Sequence, residues 1–187
     1  AAQAGDGACG FLGKMAMQAA GRGDAGQWRQ HRLRIAQIRL ETGDIEDARN
    51  VLTELLKTDS KDKATLRAIA HVDELEERWD TASATYRRLV GLEDEHGIVS
   101  AALKLAETCE KAGRLPDAPG GLERARMAAP DDVELRQRLA WLYEQLGAVK
   151  ELAELVLEEA RAAGDVAPRF DGLMRAGQLF LMHAQDP

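Results

Sequence analysis

Alanines recur along this chain at a nearly constant interval: Ala36, Ala70, Ala106, Ala140 and Ala176 are separated by 34, 36, 34 and 36 residues. Twelve positions after each of the first four comes a small or apolar residue, at Ala48, Ala82, Ala118 and Leu152. A period near 34 residues marks stacked helical hairpins, each of which buries its apolar face only against its neighbours. The composition agrees, being 45% hydrophobic but only 4% aromatic. The apolar content is mostly Ala and Leu, strong helix formers, while the β-branched and aromatic types that favour strands are scarce. The expected fold class is all-α, an α-solenoid of antiparallel helical hairpins. Such an array has no buried catalytic centre by default, so the functional question is what its surface holds.

The helical pattern can be followed hairpin by hairpin. Ile35, Ala36, Ile38 and Leu40 lead to the break Thr42-Gly43-Asp44, with Asp44 as an expected N-cap and Asp47 in the next first turn. Ile45, Ala48, Val51, Leu52, Leu55 and Leu56 then form one apolar stripe at spacings of three and four. The unit repeats around Ala70 and Ala82, around Ala106 and Ala118, and around Ala140 and Leu152. Two extra residues before the third and fifth repeats are expected to lengthen the linking turns. In the third repeat Pro116 is harmless, but Pro119 is expected to remove a hydrogen bond and kink the second helix, making that hairpin the softest.

Residues 1–27 hold seven of the seventeen glycines. Glycine costs about 1 kcal/mol against alanine in a helix interior, so only Cys9–Ala20 is expected to be helical there, as a degenerate upstream helix or cap. Trp28 opens the regular array at 28–187, with repeats at about 29–62, 63–98, 99–132 and 133–168 and a half-repeat at 169–187. The half-repeat is a first helix without its partner. Its Phe170, Leu173, Leu179, Phe180 and Leu181 are expected to leave apolar surface exposed, either self-associating or loosely ordered.

At this point the residues resemble the tetratricopeptide repeat (TPR) family. With repeats counted from Arg29, Lys63, Val99 and Val133, position 7 is Ile35, Ile69, Leu105 and Leu139, and position 8 is alanine every time. Position 20 is Ala48, Ala82, Ala118 and Leu152, and position 24 is Leu52, Tyr86, Leu122 and Val156. The departures are position 11, Tyr only at Tyr143; position 32, Pro only at Pro130; and the fourth repeat, with Leu152 and Glu159 where small residues belong. The resemblance implies a right-handed superhelix whose first helices line a concave groove for an extended or helical protein segment. By that implication Gln37, Arg67, His71, Glu74, Glu107, Glu110, Trp141 and Glu144 face the groove. The basic and asparagine clamp of the family's chaperone-tail binders is absent.

Glu74, Glu110 and Glu144 fall at position 12 of three successive repeats, with Glu107 beside them. An acidic ladder of this kind favours a basic protein or peptide partner, opposed by neutralisation from Arg67, Lys111 and Arg138. Trp141 is placed to be an aromatic anchor or to pack against the final helix. Trp28 and Trp79 read as hairpin packing. His71, one turn before Glu74, is either an ordinary exposed histidine or a pH-dependent contact.

Other function classes fare poorly. A formal charge of −7 argues against nonspecific nucleic-acid binding. No run of 18 apolar residues exists, so no membrane-spanning helix is expected. The G-x-G-x-x-G matches at Gly5–Gly10 and Gly21–Gly26 follow no strand, and Arg22-Gly23-Asp24 is a chance tripeptide. No zinc spacing and no activated nucleophile is recognisable, so no catalytic, metal or cofactor site is expected. Cys9 and Cys109 lie 100 positions apart, too far in a solenoid to pair. That fits a reducing compartment, with the cytoplasm expected and the periplasm the alternative. The opening Ala1-Ala2-Gln3-Ala4-Gly5 has neither initiator methionine nor signal profile, as in a piece of a longer protein whose targeting signals lie elsewhere. The leading expectation is a noncatalytic interaction scaffold. The alternatives, by resemblance, are a regulatory or substrate-recruiting segment of a larger enzyme such as a glycosyltransferase or kinase, or a periplasmic part of a polysaccharide-export or outer-membrane assembly apparatus.

Overall fold

The computed structural model describes residues 2–185; the ends of the expected cap at Ala1 and of the expected half-repeat at Asp186 and Pro187 lie outside them. The described residues form helices and connecting turns with no strand. The helices are α1 (Ala2–Gly21), α2 (Ala25–Thr42), α3 (Ile45–Thr58), α4 (Lys63–Leu75), α5 (Trp79–Leu92), α6 (Glu95–Lys111), α7 (Pro119–Ala128), α8 (Val133–Leu146), α9 (Val149–Ala162) and α10 (Val166–Gln185). They group into two compact units, 1–93 and 94–187. In the first, α1 packs on α2, and the hairpins α2–α3 and α4–α5 pack through α3 and α4. In the second, the hairpins α6–α7 and α8–α9 pack through α7 and α8, and α10 lies along α9.

The alanine period sets the hairpin packing. Ala36, Ala48, Ala70, Ala82, Ala106 and Ala118 are all buried, because a methyl side chain lets the facing backbone come close enough to exclude water. Around them sit fully buried leucines, among them Leu52, Leu66, Leu105, Leu122, Leu135 and Leu139. Each contributes about 2 kcal/mol through the apolar surface it removes from water. The fourth hairpin differs. Leu152 stands where the others have alanine, α8 and α9 approach one another over fewer residues, and Ala140 is left half-buried. Trp28 packs against the cluster of Ala36, Leu52, Leu55 and Val72, and Trp79 is half-buried at the start of α5.

Several expectations are corrected. The glycine-rich start is helical from Ala2 to Gly21, well beyond Cys9–Ala20. Burial of Cys9, Ala16 and Ala19 offsets the cost of the glycines, and Gly5 allows close approach to α2, since a Cβ there would lie 2.7 Å from Thr42 Cγ2 and displace that side chain. Pro119 kinks nothing. A 3-10 turn at Leu115–Asp117 delays the second helix of that hairpin, and Pro119 becomes its first residue, where no backbone N–H is needed. The extra residues before the third and fifth repeats extend the starts of α6 and α10 rather than the turns. Asp44 stands at the N-cap of α3 without capping it; its carboxylate is engaged by Arg39 at 2.9 Å. The side-chain caps are instead Asp24, Asp62, Asp94 and Asp132, which open α2, α4, α6 and α8.

Polar contacts join consecutive hairpins at one repeat position. Arg39 of α2 meets Asp6 of α1 at 2.7 Å, Asp73 of α4 meets Arg49 of α3 at 2.7 Å, and the Tyr143 hydroxyl of α8 donates to Glu123 of α7 at 2.6 Å. These are the position-11 residues of their repeats, so a departure from the tyrosine pattern keeps the place of the contact while changing its chemistry. Burial, followed by the hydrogen bond to Glu123, pushes the Tyr143 hydroxyl well above the usual phenol range.

The turns inside the hairpins pass through the left-handed region at one shared position. Gly43, Gly113 and Gly147 hold it with φ of 85°, 68° and 65°, but in the second hairpin the residue is Glu77, with φ 55°. A side chain in that conformation costs about 1 kcal/mol or somewhat more relative to glycine. Glu77→Gly should therefore stabilise the protein by about 1 kcal/mol in urea unfolding, whereas Glu77→Ala, which keeps a Cβ, should bring no such gain. An unchanged midpoint for Glu77→Gly would show that the turn carries no strain.

Candidate interaction cleft

In the second unit α6 and α8 line a cleft of about 940 Å³. Its α6 wall carries His96, Ser100, Leu103, Glu107 and Glu110, and its α8 wall carries Glu134, Gln137, Arg138 and Trp141. The intervals along both helices are three or four residues, apart from the adjacent Gln137 and Arg138, which puts each set on one face of its helix. The two faces meet because both helices are the first of their hairpins and pack on one another. The volume is within the range of ligand pockets, and the mixture of apolar, aromatic and charged walls suits a peptide better than a wholly apolar molecule.

Three acidic residues of this unit, Glu107, Glu110 and Glu144, have cationic partners. Glu107 takes Lys104 at 3.0 Å and Lys111 at 2.7 Å, and these hydrogen bonds, Lys111 first, hold its carboxyl below the usual range. Glu110 is ion-paired with Arg138. The Arg138 guanidinium also lies over the Trp141 ring, 4.4 Å from its centroid. One cation thus bridges a carboxylate and an aromatic face, a contact worth about 0.5–1 kcal/mol on the ring side when exposed. Glu144, one turn beyond Trp141, is outside the cleft wall and meets Arg175 of α10 at 3.3 Å.

The remaining sequence-designated residues belong to the first unit. Gln37 is exposed and accepts from Arg34 at 3.1 Å. Arg67 is exposed and ion-paired with Glu93, whose almost wholly buried side chain also meets Lys63 at 3.0 Å. His71 is exposed, with Nδ1 3.6 Å from the partly buried Glu74. The structure therefore gathers Glu107, Glu110 and Trp141 in one cleft. It adds Lys104 and His96, which the sequence reading did not place there, and gives Arg138 a second role on the ring. The signal for that role was available, since Arg138 precedes Trp141 by one helical turn.

Among the described residues no cluster of three or more His, Cys, Asp or Glu is placed to hold a metal ion. Cys9 and Cys109 are both buried. No described helix is long and apolar enough to cross a membrane.

Paired helices crossing at alanine in three of the four hairpins, hairpin turns closed by glycine in three of the four, and a cleft lined by first helices define the tetratricopeptide-repeat fold. Solved structures of that fold superpose on the chain. MamA from Desulfovibrio magneticus RS-1 matches with TM-score 0.52 and 15% identity, over 84% of this chain and 98% of that one. YrrB, described as a TPR protein with an unusual peptide-binding site, matches with TM-score 0.54 and 16% identity, over 83% of this chain and 78% of that one. A tetratricopeptide repeat protein from Parabacteroides merdae ATCC 43184 matches with TM-score 0.54 and 14% identity, over 95% of this chain and 74% of that one. No protein-family model matches the sequence, and neither does any curated protein sequence.

Proposed function

We propose that this chain is a noncatalytic protein-interaction scaffold and that the α6–α8 cleft seats a segment of a partner protein. The observation that carries the reading is the Glu110–Arg138–Trp141 arrangement inside a cleft of peptide-binding size. Arg138 occupies the carboxylate and the ring face that a basic side chain of a partner would use, so it stands in for a ligand cation. A lysine or arginine entering the cleft exchanges with it, while Leu103 and the indole supply apolar contact. With Glu107 partly neutralised by two lysines, the preference for basic partners rests on Glu110 and Glu134 of the cleft wall. A peptide-binding neighbour of the same fold, YrrB, supports a peptide as the class of ligand. The exposed apolar side of α10 supports a second contact, self-association.

A synthetic array of peptides about 12 residues long, with and without Lys and Arg, tests the cleft, with hits measured by calorimetry. Trp141→Ala should weaken basic hits about tenfold or more, as expected for removal of a buried aromatic anchor. Glu110→Gln should weaken them by a smaller factor and reduce their salt dependence. Hits that bind Trp141→Ala as tightly as the wild type would place the binding surface elsewhere.

A further inference from the structure

Helix α10 is apolar on two opposite sides. Its inner side carries Gly172 and Ala176 against α9, so close that a Cβ on Gly172 would lie 2.7 Å from Ala160 Cβ. Its outer side is a stripe of Val166, Phe170, Leu173, Met174, Gly177 and Leu181, spaced as one helical face and free of charge. The five side chains of this stripe are 84%, 61%, 41%, 52% and 65% exposed in that order.

The stripe reads the same in both directions. Its intervals are four, three, one, three and four residues, symmetric about the midpoint between Leu173 and Met174. In an isologous contact residue i meets residue j and j meets i, so this spacing lets the positions of the stripe meet one another along its whole length. When two such helices lie antiparallel about the midpoint, Val166 faces Leu181, Leu173 faces Met174, and Phe170 faces Gly177. The last pairing is complementary in size, because nothing of the chain lies within 4 Å of where a Cβ of Gly177 would be. A bulky ring meets an open site, twice.

The area is also sufficient. The exposed parts of these five side chains amount to about 600 Å² per copy, so a pair that covered them completely removes at most roughly 1,200 Å² from water, the lower edge of the range for specific interfaces. A contiguous apolar patch of that size is at the upper end for a monomer. We infer that two copies of this chain pair through α10 in an antiparallel, two-fold contact. The inference extends the self-association part of the proposed function and is independent of the cleft.

Sedimentation equilibrium of the 187-residue chain across about 5–200 μM tests it. The wild type should fit a monomer–dimer equilibrium. Leu173→Glu and Met174→Lys should each weaken the dimer about tenfold or more while leaving the circular dichroism spectrum intact, since both positions are already exposed. An equimolar mixture of the two variants should regain the dimer: the introduced carboxylate then faces the introduced ammonium in one half, and Leu173 faces Met174 in the other. A wild type that stays monomeric throughout would overturn the proposal and assign the face to another occupant, such as a further helix or an unrelated protein. A dimer indifferent to Leu173→Glu, or a mixture that stays monomeric, would equally overturn it. Trp141→Ala serves as the separator, because it should weaken peptide binding without moving the dimer equilibrium.

Discussion

Asp73→Ala should destabilise the protein by about 3 kcal/mol, the low end of the cost of breaking a buried ion pair from one side. Asp73 is 4% exposed, its carboxylate lies 2.7 Å from the Arg49 guanidinium, and Arg78 stands at 4.0 Å. Removing it leaves Arg49 largely buried with a single carboxylate, Glu76 at 2.6 Å. In the intact protein burial opposes charge on Arg49, but Asp73 and Glu76 together outweigh it and hold the guanidinium above its ordinary pKa. Without Asp73 the guanidinium still keeps its proton, as arginine does throughout the folding pH range. The residual pair with Glu76 places the cost at the lower end of the range. A double variant, Arg49→Leu with Asp73→Leu, should cost less than Asp73→Ala alone, because no unpaired charge remains. Urea unfolding supplies the totals, and amide exchange across α3 and α4 localises the loss. A cost under about 1 kcal/mol for Asp73→Ala would mean that Arg49 swings to solvent and that the contact between these helices is held by its apolar residues.

The contrast between Asp73 and its tyrosine counterpart shows which parts of the fold were legible in sequence. The alanine period located the hairpins because backbone approach tolerates only small side chains, and that constraint is local to a position. What fills position 11 was not legible in the same way. Arg39, Asp73 and Tyr143 look unrelated in sequence, yet each contacts the preceding helix, so the geometry persists while the chemistry changes. The glycine-rich start was misread because propensity assigns a cost to each residue, whereas burial of Ala16 and Ala19 against α2 is a collective gain that propensity does not include. Pro119 was misread for a related reason: its effect depends on where the helix begins, and the 3-10 turn shifts that start by a few residues.

The cleft divides along similar lines. Glu107, Glu110 and Trp141 were placed on one surface by helical spacing, which needs no knowledge of neighbours. The neutralisation of the carboxylates was legible in part: Lys111 and Arg138 pair with Glu107 and Glu110 as expected, whereas Arg67 pairs with Glu93 and not with the ladder. Lys104 and Arg138 come from flanking positions of the same two helices, and Arg175 reaches Glu144 from α10. A ladder that looks strongly acidic in sequence is therefore a row of ion pairs, mostly half exposed, each worth only a few tenths of a kcal/mol to about 1 kcal/mol. Cheap pairs exchange readily, which is what a binding surface requires and what a stability argument would miss.

Gly172→Leu should have the other large effect, a loss of about 3 kcal/mol or more together with release of α10 from α9. Propensity alone gives the opposite sign, since replacing a helical glycine stabilises by about 1 kcal/mol. Space decides between them. A Cβ at Gly172 would lie 2.7 Å from Ala160 Cβ and 3.3 Å from Ala160 Cα, and the latter is backbone that cannot turn aside. Even Gly172→Ala should therefore lose stability, by about 1 kcal/mol net, because the strain of parting two helices exceeds the propensity gain. Gly177→Ala is the control: its surroundings are open, so below the dimerisation range it should gain about 1 kcal/mol. Thermal unfolding of the three variants, with amide exchange at Ala176 as the local probe, measures the ordering. Equal gains from Gly172→Ala and Gly177→Ala would show that α9 and α10 are farther apart than the structure places them. The same series separates folding from assembly: Gly172→Leu should abolish the dimer by loosening the helix that presents it, whereas Leu173→Glu should abolish it with Ala176 still protected.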